Sequence, residues 1–416
     1  MKTLAKSVLG VAVAAAVAST SVQAAEEIVT IDPSLTFTYK NYYWDNTAKD
    51  TGDKDTSEWA HGLIADFDTG YVNDLVGAVV TAGYAGALDN DGSFSNVAEG
   101  SNGKDGNDVT GFQQAYLKAK TTFSGVDFAG SVGVKKRGTE TYSDSGSRIL
   151  AASSNGYDLS AGFGGANVYF TEITGVSQRN ESAFSNSVDE ELKILGANYS
   201  YEGLGLAAEF GKVNEGLEQS FLKASYGFDL DDNSSIDLDA RYGKAESDKS
   251  GDNYESKYYN LNAAYNFGSA YVGLGYNITS DDDFETDYLG GSSNDKFNSS
   301  LAQWENYALE DEKAYVVSAG YNFADQGLEG LSWDLWYAKG KDAKDVADFK
   351  RREYGSYLSY AFDGSLEGLS LAWLHINYRA EGTAEGERAA AANQNLGTIY
   401  NTNVDRFFLT YSVSVF

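Results

Sequence analysis

Two sets of side chains in this chain have types and spacing that suit solute chemistry. Lys118, Lys120, Lys135, Arg137, Lys223, Arg241, Arg351 and Arg379 each fall on one parity of an alternating stretch. Tyr116, Phe221, Trp336, Tyr357 and Trp373 fall on the same parity of theirs. A row of cations on one wet face would attract carboxylates by charge and charge-assisted hydrogen bonds. Flat rings on that face would instead stack on sugars. Acids share the parity (Asp127, Asp237, Asp239, Asp334 and Glu353), so pairing within the wall is the competing reading for the cations. The rings, in turn, have packing or interfacial roles as their competing reading.

The patterning that positions them has a period of two. In 111–123, Gln114, Tyr116, Lys118 and Lys120 oppose Ala115, Leu117, Ala119 and Phe123. In 126–137, Asp127, Ser131, Lys135 and Arg137 oppose Val126, Phe128, Val132 and Val134. In 235–244, Asp237, Asp239 and Arg241 oppose Ile236, Leu238, Ala240 and Tyr242. In 369–380, Trp373, His375, Asn377 and Arg379 oppose Ala372, Leu374, Ile376 and Tyr378. Such alternation marks β-strands with one apolar and one polar face. Eighteen stretches of this kind can be placed, from 33–44 to 404–416. Their connections tend to alternate short (124–125, 164–165, 202–203, 268) and long (45–56, 88–110, 138–156, 176–190, 280–312, 381–403). An up-and-down barrel with one rim of turns and one rim of loops has that signature. Charges facing mid-bilayer lipid would cost roughly 2–4 kcal/mol each, so the charged parity is expected to line water. The fold expected is all-β, a transmembrane antiparallel barrel of 18 strands.

Composition agrees. The chain has one Pro, Pro33, and no Cys, so little interrupts a hydrogen-bonded ladder and no disulfide framework exists. The formal net charge is −30, which disfavours nucleic acid as a partner. Acid-rich segments at 89–91, 246–252 and 281–283 lie in turn-like stretches. They suit a solvated surface, or divalent-ion bridges to lipopolysaccharide, but lack EF-hand spacing. At the N-terminus, Lys2 and Lys6 precede a short apolar run, 8–18, and a Val22-Gln23-Ala24 cleavage site. That pattern predicts a cleaved signal peptide, 1–24, and a mature chain of 25–416. Only His61 and His375 are present, too few for a His-dependent catalytic constellation of the familiar kinds. An enzyme is therefore not expected, nor a cofactor or a resident metal.

Particular residues resemble the OprD family of outer-membrane porins. They are Asp32-Pro33-Ser34-Leu35-Thr36, Lys40-Asn41-Tyr42-Tyr43, Glu58-Trp59-Ala60-His61-Gly62 and Thr69-Gly70-Tyr71 near the start. Ser147-Arg148-Ile149-Leu150, Asn167-Val168-Tyr169 and Ser177-Gln178-Arg179 follow, then 218–226, Asp311-Glu312-Lys313-Ala314 and 327–331. Trp304-Glu305-Asn306 and the C-terminal RFFLTYSVSVF look most like the chitoporin branch. The resemblance implies a passive channel in the Gram-negative outer membrane, monomeric or trimeric, with a third loop (138–156) folded into the pore. It implies Arg148, with Arg179 beside it, as constriction residues. Ala151-Ala152-Ser153 stands where that loop commonly has a Pro. The aromatic C-terminal residue implies engagement of the barrel-assembly machinery. Uptake of chitooligosaccharides is the expected activity; the alternative is uptake of small carboxylates, amino acids or peptides along a basic ladder.

Overall fold

Within hydrocarbon, backbone N–H and C=O groups have no water to bond, so a spanning sheet must pair every edge. In the computed structural model the chain does this by closing on itself. The structure describes residues 32–49, 55–90, 108–182, 184–247, 253–291, 293–390 and 399–416. The expected signal peptide, Asp91 and the acids at 248–252 lie outside these residues. Eighteen antiparallel strands each pair with their sequence neighbours. The first, β1 (Ser34–Ala48), also pairs with the last, β18 (Asn401–Ser414), from Thr36↔Ser414 to Ala48↔Thr402. Phe416 lies just past β18, where its carbonyl accepts from Leu35 N at 3.2 Å, sealing the seam.

The alternation sorts side chains as lipid and water require. On β4 (Val109–Phe123) and β13 (Ala270–Ser280), Leu117 and Leu274 point outward, each 62% exposed. A row of tyrosines bounds the outward apolar band on the long-loop side. Tyr242 and Tyr259 lie 5.2 Å apart, Tyr315 and Tyr337 6.2 Å, and Tyr337 and Tyr354 4.7 Å. On the turn side, Tyr265–Phe267, Tyr321–Phe323 and Tyr360–Phe362 pairs sit at 4.6–5.2 Å. These are the two aromatic girdles of a membrane barrel. The tight turns need left-handed backbone: Gly164 and Gly165 both have positive φ, 56° and 84°.

Two expectations change. The third loop is 136–152, because Ser154 and Asn155 pair with Lys135 and Val134 and so belong to β6 (Ser153–Phe163). The parity of β17 (Leu369–Ala384) is inverted. Trp373 lies opposite Phe407 and stacks on it at 6.3 Å, and Phe407 is 49% exposed on the outer wall. His375 Nδ1 and Trp373 Nε1 both contact Asp405 on that wall, at 3.0 and 2.8 Å. Ile376 and Tyr378 are the inward residues, buried against Val404. Arg379, next on the outward parity, is thus removed from the lumen, as is Trp373. His61 is also outward, against Tyr39 and Tyr84.

Replacing Leu274 by Arg puts a charge into the outward apolar band. Equilibrium refolding into vesicles should show a loss of roughly 2–4 kcal/mol.

Candidate functional site in the barrel lumen

Inside the barrel, two long connections fold onto the wall and onto each other. Loop 136–152 is held first by its own ends. Arg137 donates from Nε to both Asp158 carboxylate oxygens at 3.2 Å and from Nη2 to Gly133 O at 3.1 Å. Glu209 on β9 (Leu204–Val213) accepts from the Thr139 hydroxyl (2.9 Å), Glu140 N (2.9 Å) and Thr141 N (2.7 Å). Ile149 and Leu150, fully buried, pack among Tyr42, Trp44, Ala60, Ala85 and Val109. Gly62 is required there, since a Cβ would meet the Ile149 side chain at 2.3 Å.

Loop 281–312 is the second inward element, and no expectation covered it. Its apolar residues were the available signal: Phe284, Tyr288, Phe297, Leu301, Trp304, Tyr307 and Leu309 are too many for a water-exposed connection. Leu301 and Tyr307 bury against inward Ala314, Val316 and Ala338. Phe297 covers Phe221 and Tyr258. The loop's foot is an ion pair with no solvent exposure: Arg351 Nε donates to Glu312 Oε1 at 2.7 Å, and its Nη2 to Asn306 O at 2.6 Å. The loops join directly. Ser145 N donates to Ser293 O (2.9 Å), Lys296 Nζ to Thr139 O (2.7 Å), and Asn298 Nδ2 to Glu140 O (2.9 Å).

At this junction three guanidinium groups gather. Arg148 from the first loop lies 4.5 Å from the Trp44 ring. Arg406 on β18 lies 3.6 Å from the same ring and 4.7 Å from Trp304. Arg179 donates from Nη1 to Ser147 Oγ at 2.8 Å and from Nε to Ser293 Oγ at 2.9 Å. Burial first, and then Arg179, lowers the Arg148 guanidinium to about 10, while Glu58 acts the other way. Burial also lowers Arg179, opposed by Asp295. A cationic cluster this dehydrated, flanked by two indoles, is a place where an anion regains what the arginines lost from water.

The structure therefore brings Arg148 and Arg179 together and adds Arg406, Trp44 and Trp304, which sequence reasoning missed. Arg406 shares a strand with Phe407, so its parity was legible, but its convergence with a loop residue was not. Most other cations pair within the wall. Lys118 meets Asp68 (2.6 Å), Lys120 meets Asp74 (2.5 Å) and Lys135 meets Asp158 (3.0 Å). Arg241 meets Asp239 (2.8 Å), and Arg351 is sealed under the loop. Lys223 faces the lumen opposite Arg241. Tyr116 is inward in a cavity of about 640 Å³ with Tyr71, Lys118, Lys135 and Asp158. Tyr357 is inward near Asp334, but Trp336 is a packing residue: it donates to Glu353 at 2.6 Å and its ring fills the space over Gly355. The expected aromatic track thus lacks Phe221, Trp336 and Trp373 as open stacking faces.

Neutralising the loop's foot should free it. Glu312→Gln leaves a buried Arg351 unpaired, at a cost of about 3–5 kcal/mol. Single-channel conductance should rise and loop 281–312 should become protease-sensitive, whereas Arg351→Met/Glu312→Leu should remain closed. Acidity should act oppositely. Burial raises the carboxyls of Asp144, Asp295 and Glu305, so the stability they add to loop docking is full below the ordinary carboxylate range and is lost as pH rises through their raised values. Conductance should therefore fall as pH drops from about 7 to about 4.

A family model described as "outer membrane porin, OprD family" matches residues 30–404. Porin D of Pseudomonas aeruginosa is 26% identical over 335 residues, 75% of this chain and 74% of that protein. Among solved structures, Acinetobacter baumannii OccAB2 superposes with a TM-score of 0.78 at 18% identity, covering 92% of this chain and 98% of that one. Pseudomonas aeruginosa OpdK, in a structure with vanillate, has a TM-score of 0.76 at 18% identity, covering 92% and 99%.

Proposed function

This chain belongs to the OprD family of outer membrane porins, and on that premise we propose that it selects small carboxylate-bearing solutes for passive uptake. The observation that carries this reading is the convergence of Arg148, Arg179 and Arg406 on Trp44 and Trp304 at the junction of the two inward loops. Guanidinium forks match a carboxylate in geometry and charge. Each such charge-assisted contact is worth about 1.5–3 kcal/mol, enough to hold a solute briefly without trapping it. Lys118, Lys120 and Lys135 on the wall are each committed to a carboxylate, which favours the arginines at the junction as the place of recognition. Chitooligosaccharide uptake is the weaker reading, because Phe221 and Trp336 are committed to packing and Trp373 lies outside. No group is transferred in this function and no energy source enters it.

Planar-bilayer recording of the refolded protein tests the proposal. Vanillate should block the open channel transiently, and Arg406→Ala should shorten the blocks by roughly tenfold. Blocking by chitohexaose but not by vanillate would overturn the carboxylate reading in favour of the sugar.

A further inference from the structure

The outer wall carries a cationic patch that solute passage does not use. On β14 (Lys313–Asn322), β15 (Leu331–Lys341), β16 (Val346–Ala361) and β17, bases face bases across the ladder. Lys313 opposes Lys341, and Lys341 opposes Lys350. One step closer to the apolar band, Lys339 opposes Arg352, and Arg352 opposes Arg379. All six share the outward parity of Tyr315, Tyr337 and Tyr354, and lie on the long-loop side of that aromatic row.

Like charges directly opposite destabilise a sheet, so this arrangement needs a counter-charge. The chain is poor in bases, with a net charge of −30, yet it concentrates six of them here. The upper row is partly neutralised: Asp342 lies 3.5 Å from Lys313 and 3.4 Å from Lys341, and Glu381 lies 2.9 Å from Lys350. The lower row is not. Arg379 donates to Tyr378 O, Thr402 O and Asn403 Oδ1, none of them anionic. Among the described residues, no carboxylate reaches ion-pair distance of Lys339 or Arg352.

We infer that Lys339, Arg352 and Arg379 form a docking site for the phosphates of an outer-leaflet lipid, the phosphorylated glucosamine headgroup of lipid A. The height decides the occupant. Just beyond an aromatic girdle, the nearest abundant anions are headgroup phosphates, and basic residues at an anionic membrane surface each add about 1 kcal/mol to binding. The acyl chains would lie along the outward apolar faces of the same strands, and the tyrosine row would meet the sugars. On the inner side, the same four strands hold Arg351, Glu353 and Ala380, the wall to which loop 281–312 is fastened. A bound phosphate would offset the repulsion outside while the ion pair holds the loop inside.

The test uses the refolded full-length mature barrel in detergent, with lipid retention read by native mass spectrometry. The probes are bisphosphorylated lipid A, the same lipid with both phosphates removed, and inorganic phosphate. Wild type should retain the bisphosphorylated lipid and lose it roughly tenfold or more on dephosphorylation. Lys339→Ser/Arg352→Ser should show a loss of similar size, with vanillate block unchanged. Lys339→Arg/Arg352→Lys should retain the lipid, and so should Lys193→Ser on β8 (Asn186–Tyr201), which is paired with Glu191. Equal retention by wild type and the Ser variant, or equal retention of the dephosphorylated lipid, would overturn the proposal. Displacement of the lipid by millimolar inorganic phosphate would overturn it too, by making free phosphate the ligand.

Discussion

The hydrocarbon's inability to solvate a backbone amide is the constraint from which this structure follows. It requires that β1 meet β18, so that no edge is left open. Once the sheet is closed, side chains alternate between lipid and interior, and the polar half of the sequence must face inward or lie beyond the membrane. Both outcomes occur. Asp158, Asp239 and their basic partners are inside, whereas Arg352 and Arg379 lie outside on the long-loop side of the tyrosine row.

A closed barrel of eighteen strands encloses more space than wall side chains can fill. The chain fills it with loops 136–152 and 281–312, and that changes the character of the interior. Where the loops dock, the inward wall is dry. Tyr142 packs with Ile173, Leu192 and Ile194, and Tyr307 packs with Val316 and Ala338. Polar anchors there need partners: Glu209 collects donors from three consecutive loop residues, and Arg351 meets Glu312 through Nε and Nη2.

At the loop junction, arginine suits the proposed recognition for a physical reason. A guanidinium can lie over an indole and still offer its edge donors, so Trp44 supports Arg148 and Arg406 without consuming their hydrogen-bonding capacity. Lys118, Lys120 and Lys135 on the wall are each held by a carboxylate, as Lys118 is by Asp68, which leaves them structural. On the two proposals made above, the basic residues fall into three populations: wall-paired, solute-facing and lipid-facing. Location separates them, since side-chain type is shared.

The strand count, the rims of turns and loops, and the parity of 111–123, 126–137 and 235–244 were all legible in the sequence, because a period of two is a local property that closure does not alter. The family resemblance marked Arg148 and Arg179 in the same way. Residues 369–380 show where that reading stops. Their apolar parity, Leu374, Ile376 and Tyr378, looks lipid-facing, yet it faces inward and packs with Val404 and Trp304. Their polar parity faces outward, with Arg379 beyond the tyrosine row and His375 held by Asp405 on the outer wall. Alternation says only that two faces differ. Which of them meets lipid depends on the height of each residue in the membrane and on whether a loop has dried the lumen beside it. Both are set by contacts between residues distant in sequence, such as Trp304 with Arg406 and Arg351 with Glu312. No local pattern encodes those contacts, so only the tertiary structure decided them.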